Sequence, residues 1–150
     1  MYKKCAEILN NLERQGKIKI FNFQFPPKEE LKLRLKDMLE DDVDVKYYLS
    51  TEQVDRIKLS SYNQNRRKIQ EKDFCDTLCA RDWRDPKCVK VGNLNRKLTA
   101  REYWRLMGFK DEDFEKASKV NSNSQLYKQA GNSIVVNVLE VIFKELFKGE

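Results

Sequence analysis

Between residues 79 and 90 the chain sets four cations around one indole: Arg81, Arg84, Lys87 and Lys90 flank Trp83. A guanidinium is a planar fork that pairs bidentately with a phosphate or a guanine edge, whereas a lysine ammonium is a point charge. The surrounding charge has the same sign. Residues 60–109 hold 12 Lys/Arg against 6 Asp/Glu, while 1–59 hold 12 against 11 and 110–150 hold 6 against 7, so the formal net charge of +6 resides in the middle third. A phosphate backbone suits such a segment, because each neutralised phosphate releases counterions. A solvated basic surface without a ligand is the alternative.

The remaining reactive groups are few. The chain has no histidine, which removes imidazole acid–base chemistry. Cys75, Cys79 and Cys88 lack a second close pair, so a tetrahedral zinc site would have to recruit the distant Cys5. Reduced structural thiols are the favoured reading, and no metal is expected.

The elements that position these residues follow from length and periodicity. A chain of 150 residues makes one compact domain or a piece of a larger one. Apolar content of 40 % with 11 % aromatics fits a packed core, and 36 % charge makes it polar for a globular chain. No apolar run approaches the roughly 18 residues of a membrane span, and the first residues lack a signal-peptide core, so the expected compartment is the cytoplasm, with no membrane partner.

Apolar Cys5, Ile8, Leu9 and Leu12 predict a helix over residues 3–12, ended by Gly16. Alternation over 17–25 predicts a strand stopped by Pro26 and Pro27, and helices follow over 31–39 and 52–59. Residues 60–95 lose this regularity, with short β segments expected at 74–78 and 88–91, the latter closed by Gly92 and Asn93. Thr99-Ala100-Arg101-Glu102 has the form of a capping box and predicts a helix start, with Gly108 just past its end. Asp111-Glu112-Asp113 opens another helix, and residues 124–130 form one more, stopped by Gly131. Val135, Val138, Leu139, Ile142 and Leu146 mark a final amphipathic helix from Ser133 onward, capped by Asn132 or Ser133. The fold class is therefore α+β: a small mixed region of short strands, then helices ending in a long amphipathic one.

Two motifs stand in the last third. Arg96-x-Leu98-Thr99-x-Arg101-Glu102 and Gln129-Ala130-Gly131-Asn132-Ser133-Ile134-Val135-Val136 flank Met107-Gly108-Phe109 and Ser124-Gln125-Leu126-Tyr127-Lys128. In order and spacing they resemble the ninth and tenth motifs of DNA (cytosine-5) methyltransferases. Phe23-Gln24-Phe25-Pro26, Leu35-Lys36-Asp37 and Val45-Lys46-Tyr47-Tyr48-Leu49 resemble the lead-in to that family's recognition region, so the likeness covers about residues 20–148.

The resemblance implies roles for particular residues. Asn132, Ser133 and Ile134 match positions that meet S-adenosylmethionine, and a capped helix start there suits the cofactor's carboxylate. Thr77-Leu78 resembles the pair that precedes the recognition loops. Of the loop that follows, Arg81 or Arg84 is assigned to bases, and Lys87 and Lys90 to phosphates. Arg96 and Arg101 match organisers of the recognition domain, with Thr99, Glu102 and Gly131 structural beside them.

Departures from the family matter equally. The Gly-rich cofactor motif, the Pro-Cys nucleophile and the Glu-Asn-Val element are missing, and none of Cys5, Cys75, Cys79 and Cys88 follows a proline. No catalytic residue is assigned. The expected partition is an unassigned helix at 1–16, a target-recognition region at 17–95 and, at 96–150, the segment that completes the cofactor domain. The resemblance implies duplex DNA and an N-terminal catalytic part, in cis or as a separate subunit, as partners. A stand-alone DNA-binding remnant, or a split-enzyme subunit inactive alone, is the alternative.

Overall fold

The computed structural model describes residues 2–18, 30, 32–59, 69–70 and 73–147. It divides into two compact units, one of residues 1–29 with 139–150 and one of residues 30–138.

In the first unit, α1 (Tyr2–Arg14) runs slightly longer than its apolar spacing predicts. Gly16 ends it at φ +66°, a left-handed conformation that costs glycine least, and the Lys17 amide closes back on the Leu12 carbonyl at 3.0 Å. Most of the strand expected over 17–25 lies outside the described residues, as does the polar stretch 60–68.

The second unit is built on a three-stranded sheet. β1 (Ile69–Gln70) pairs in parallel with β2 (Cys88–Val91), which pairs antiparallel with β3 (Leu94–Lys97). Gly92 at φ +59° makes the hairpin turn between β2 and β3. Successive residues of a strand point to opposite faces, so buried Cys88 and Val89 belong to different cores. Cys88 packs with Ile69 and with Val54 and Ile57 of α2 (Thr51–Leu59). Val89 packs with Leu35, Leu98, Tyr103, Trp104, Leu126 and Tyr127, the main core.

That core is covered by α3 (Ala100–Leu106), α4 (Asp111–Ser118) and α5 (Asn123–Asn132); α6 (Val136–Leu146) begins in this unit and from residue 139 belongs to the first. Thr99 caps α3 as its sequence predicts, with both halves of the capping box formed. Gly108 at φ +85° turns the chain out of α3, and the space a side chain would need there is taken by Asn137 and Val136.

Several elements differ from expectation. Over 31–39 the described residues form only a 3-10 turn, Leu35–Met38. An α-helix there would use the Leu35 amide internally, but that amide donates to the Asp73 carbonyl at 2.8 Å, and just past the turn the Glu40 amide donates to Glu102 at 2.8 Å. Residues 74–78 form no strand, whereas β1 and β3 are strands the pattern did not mark. Gly131 lies inside α5, and α6 begins at Val136 and not at Ser133. The boundary expected between 95 and 96 falls inside β3.

Candidate functional site

A buried ion pair fixes the geometry of this unit. β3 presents Arg96 and the first turn of α3 presents Glu102, with side chains 1 % and 0 % exposed. Arg96 Nη1 and Nη2 donate to the two carboxylate oxygens at 2.9 and 2.6 Å. The Thr99 and Glu40 amides donate to the same oxygens, each at 2.8 Å. Four donors saturate the four acceptor positions of one carboxylate, which is what makes a buried charge pair tolerable. Burial disfavours the Arg96 charge, but the Glu102 contact, with smaller contributions from Tyr48 and Glu40, outweighs it and moves the guanidinium pKa up.

A second cluster lies nearer the surface. Arg101 reaches Glu40, Asp111 and Glu115 at 3.4, 3.2 and 3.2 Å and lies over the Phe114 ring. Arg105 grips Asp111 with two bonds of 2.7 and 2.6 Å. The hydrogen bond from Arg105, followed by that from Arg101, holds the Asp111 carboxyl at a pKa of about 2 despite some desolvation. These guanidiniums are occupied by carboxylates.

The basic segment is held differently. Ala80–Trp83 is a 3-10 turn whose Asp82 side chain faces inward, accepting the Cys79 amide at 3.0 Å and the Tyr103 hydroxyl at 3.2 Å. That hydroxyl also accepts the Lys87 amide at 2.8 Å, so one fully buried phenol ties both ends of the segment to α3. Burial raises the Tyr103 pKa and keeps the phenol protonated. From the other side, Gly131 of α5 packs against the peptide joining Cys79 and Ala80, where a Cβ would overlap backbone atoms.

Arg81 and Arg84 on this fixed turn, and Lys90 in β2, are exposed and among the described residues form no ion pair with a carboxylate. The Arg84 guanidinium lies 5.0 Å from the Trp83 ring centroid, and the Lys128 ammonium of α5 is also 5.0 Å away. Thr77 is exposed ahead of the turn. Lys87 is buried, at 8 % exposure. The sequence reading did not single out Tyr103, Asp82, Glu40 or Lys128. Tyr103 carried an apolar signal, but no local pattern marks partners 16 to 62 residues apart.

Asn132 closes α5 with its side chain exposed, and Ser133 is the C-cap of that helix, its hydroxyl donating to the Ala130 carbonyl at 3.1 Å. Ile134 is exposed. Neither Asn132 nor Ser133 caps α6, and the first amide of α6, Val136, donates to the Met107 carbonyl at 2.9 Å. Asn132 and Ser133 therefore end one helix instead of opening the next, and no helix start of theirs faces a cofactor carboxylate. No group of His, Cys, Asp or Glu able to hold a metal occurs among the described residues, nor any helix long and apolar enough to cross a membrane.

This fold has a counterpart in the crystal structure of the S. pombe Dnmt2 methyltransferase, with a TM-score of 0.61 and 22 % identity over 81 % of this chain and 44 % of that one. The likeness is one of fold. Residues 5–148 match the family of C-5 cytosine-specific DNA methylases, and the chain belongs to that family. The type II methyltransferase M2.ScrFI of Lactococcus lactis subsp. cremoris is 44 % identical over 97 % of this chain and 40 % of its own length. The orphan methyltransferase M.Rho11sI of Bacillus phage rho11s is 73 % identical over 52 residues, 34 % of this chain. The orphan methyltransferase M.SPBetaI of Bacillus phage SPbeta is 32 % identical over 86 % of this chain and 45 % of its own length. The chain thus spans less than half the length of these relatives.

Proposed function

We propose that this chain is the C-terminal target-recognition and cofactor-wall part of a DNA (cytosine-5) methyltransferase. The complete enzyme would flip a cytosine out of duplex DNA and methylate it at C5. The observation that carries this reading is the turn Ala80–Trp83, locked from both sides, with Arg81 and Arg84 exposed and, among the described residues, unpaired with a carboxylate. Rigid presentation suits base reading, because a fork already in place forgoes the entropy cost of ordering. Arg81 takes base edges, Arg84 and Lys90 take phosphate and Thr77 lies at the edge of the contact. Lys87, being buried, is not included.

S-adenosylmethionine supplies the methyl group when bound. The exposed Asn132 amide offers a donor and an acceptor to its polar groups, and the exposed Ile134 offers apolar surface. Ser133 is held by its Ala130 contact and orients this corner. The three fit one wall of a site, and the N-terminal catalytic part, in cis or as a separate subunit, provides the rest with the nucleophile. Val138, Val141, Phe143 and Leu146 of α6 are exposed, and a helix with so much apolar surface supports a covering partner over a stand-alone module.

The test is to incubate the purified chain with duplex DNA and S-adenosylmethionine carrying a labelled methyl group. No label should enter DNA with the chain alone, and label should enter when an N-terminal part bearing the Pro-Cys element is supplied. Labelling by the chain alone overturns this division of roles. Tight sequence-selective binding by a stable monomer that no N-terminal part activates supports a stand-alone DNA-binding module instead.

A further inference from the structure

We infer that Lys128 of α5 is a DNA-backbone contact, acting with Arg84 and Trp83 as one composite phosphate-binding surface that joins the recognition turn to the tenth-motif helix. This rests on the DNA-binding reading above and adds to it a residue from outside the basic loop. Both cations lie 5.0 Å from the Trp83 centroid, although they are 44 positions apart in sequence.

Their placement is enforced. Gly131, one helical turn beyond Lys128, seats α5 on the peptide joining Cys79 and Ala80, so the face of α5 that carries Lys128 meets the turn. An aromatic face attracts a cation through its quadrupole without neutralising it, so the charge stays available to a ligand. Among the described residues neither Arg84 nor Lys128 forms an ion pair, in contrast to Arg96, Arg101 and Arg105. The nearby Asp82 carboxylate is turned inward on Tyr103 and the Cys79 amide, and α5 contains no acidic residue. A lysine point charge beside a guanidinium fits a phosphodiester better than a base edge, so Lys128 should add affinity without sequence preference.

The experiment measures binding of the full chain to two unrelated duplexes between about 50 and about 200 mM salt, for wild type, K128Q and K128R. Loss of one phosphate contact reduces the log–log salt slope by about 0.9, so across this fourfold range K128Q should lose about 3.5-fold less affinity than wild type. It should bind both duplexes more weakly at low salt by the same factor, and K128R should keep the wild-type slope. A packing role alone would lower the melting temperature of K128Q and leave its salt slope unchanged, and that result overturns the inference while the DNA-binding reading stands. Wild type that binds neither duplex overturns both.

Discussion

Glu102→Gln isolates the interaction on which the fold of the larger unit turns. The carboxylate accepts four hydrogen bonds, two from Arg96 and one each from the Thr99 and Glu40 amides. An amide keeps one acceptor oxygen, and its NH2 must then face two of those donors whichever way it is flipped. Two charge-assisted bonds, each worth about 1.5–3 kcal/mol, are replaced by donor–donor contacts, and Arg96 is left as a buried charge without a counter-ion. A loss of about 3–5 kcal/mol follows, comparable with breaking other buried pairs. Against a typical total of about 5–15 kcal/mol this is severe, and it should lower the melting temperature by about 6–20 °C. Urea denaturation of E102Q, of Arg96→Met and of the double variant gives the coupling directly, and the double variant should be less destabilised than the sum of the singles. A melting temperature for E102Q equal to wild type would refute the claim that the pair is buried and saturated.

Other consequences of the structure are as accessible. Gly131→Ala puts a methyl group into the peptide joining Cys79 and Ala80, so it should destabilise by about 1–3 kcal/mol and weaken DNA binding by displacing the turn; thermal melts and binding titrations check both. Asp111 has its pKa depressed in the folded state, so its contribution is present above its unfolded value near 4 and is lost as pH falls from about 4 towards about 2. Asp111→Asn should remove that part of the acid dependence in melts taken through this window. Thiol titration of the native chain near neutral pH should show Cys5 and Cys79 reacting fast. Cys88, which is buried, and Cys75, whose thiol burial pushes up to about 12, should react only on unfolding.

Local patterns carried much of the architecture. The apolar spacing of α1, the Thr99 capping box and the Gly92 turn are encoded within a few residues, and each appears in the fold where its pattern lies. The ordered ninth and tenth motifs also carried the family assignment, since a series of matches in register is visible without coordinates. Where local pattern and tertiary contact conflicted, the contact prevailed. Residues 35–38 stop at a 3-10 turn because the Asp73 carbonyl takes the Leu35 amide that a helix would have used.

The amino-acid sequence by itself thus determined the capped helix start at Thr99, the basic character of the turn around Trp83 and the family, all of which are written in neighbouring residues and their order. Only the tertiary structure decided which charges are available. Arg96, Arg101 and Arg105 resemble Arg81 and Arg84 in composition, yet among the described residues the first three are neutralised by carboxylates and the last two are not. It also turned Gly131 from an apparent helix stop into a point of close approach, and moved Asn132 and Ser133 from the start of one helix to the end of another. The reason is physical: capping and periodicity act over one or two turns, whereas neutralisation and close packing depend on partners brought together from distant parts of the chain.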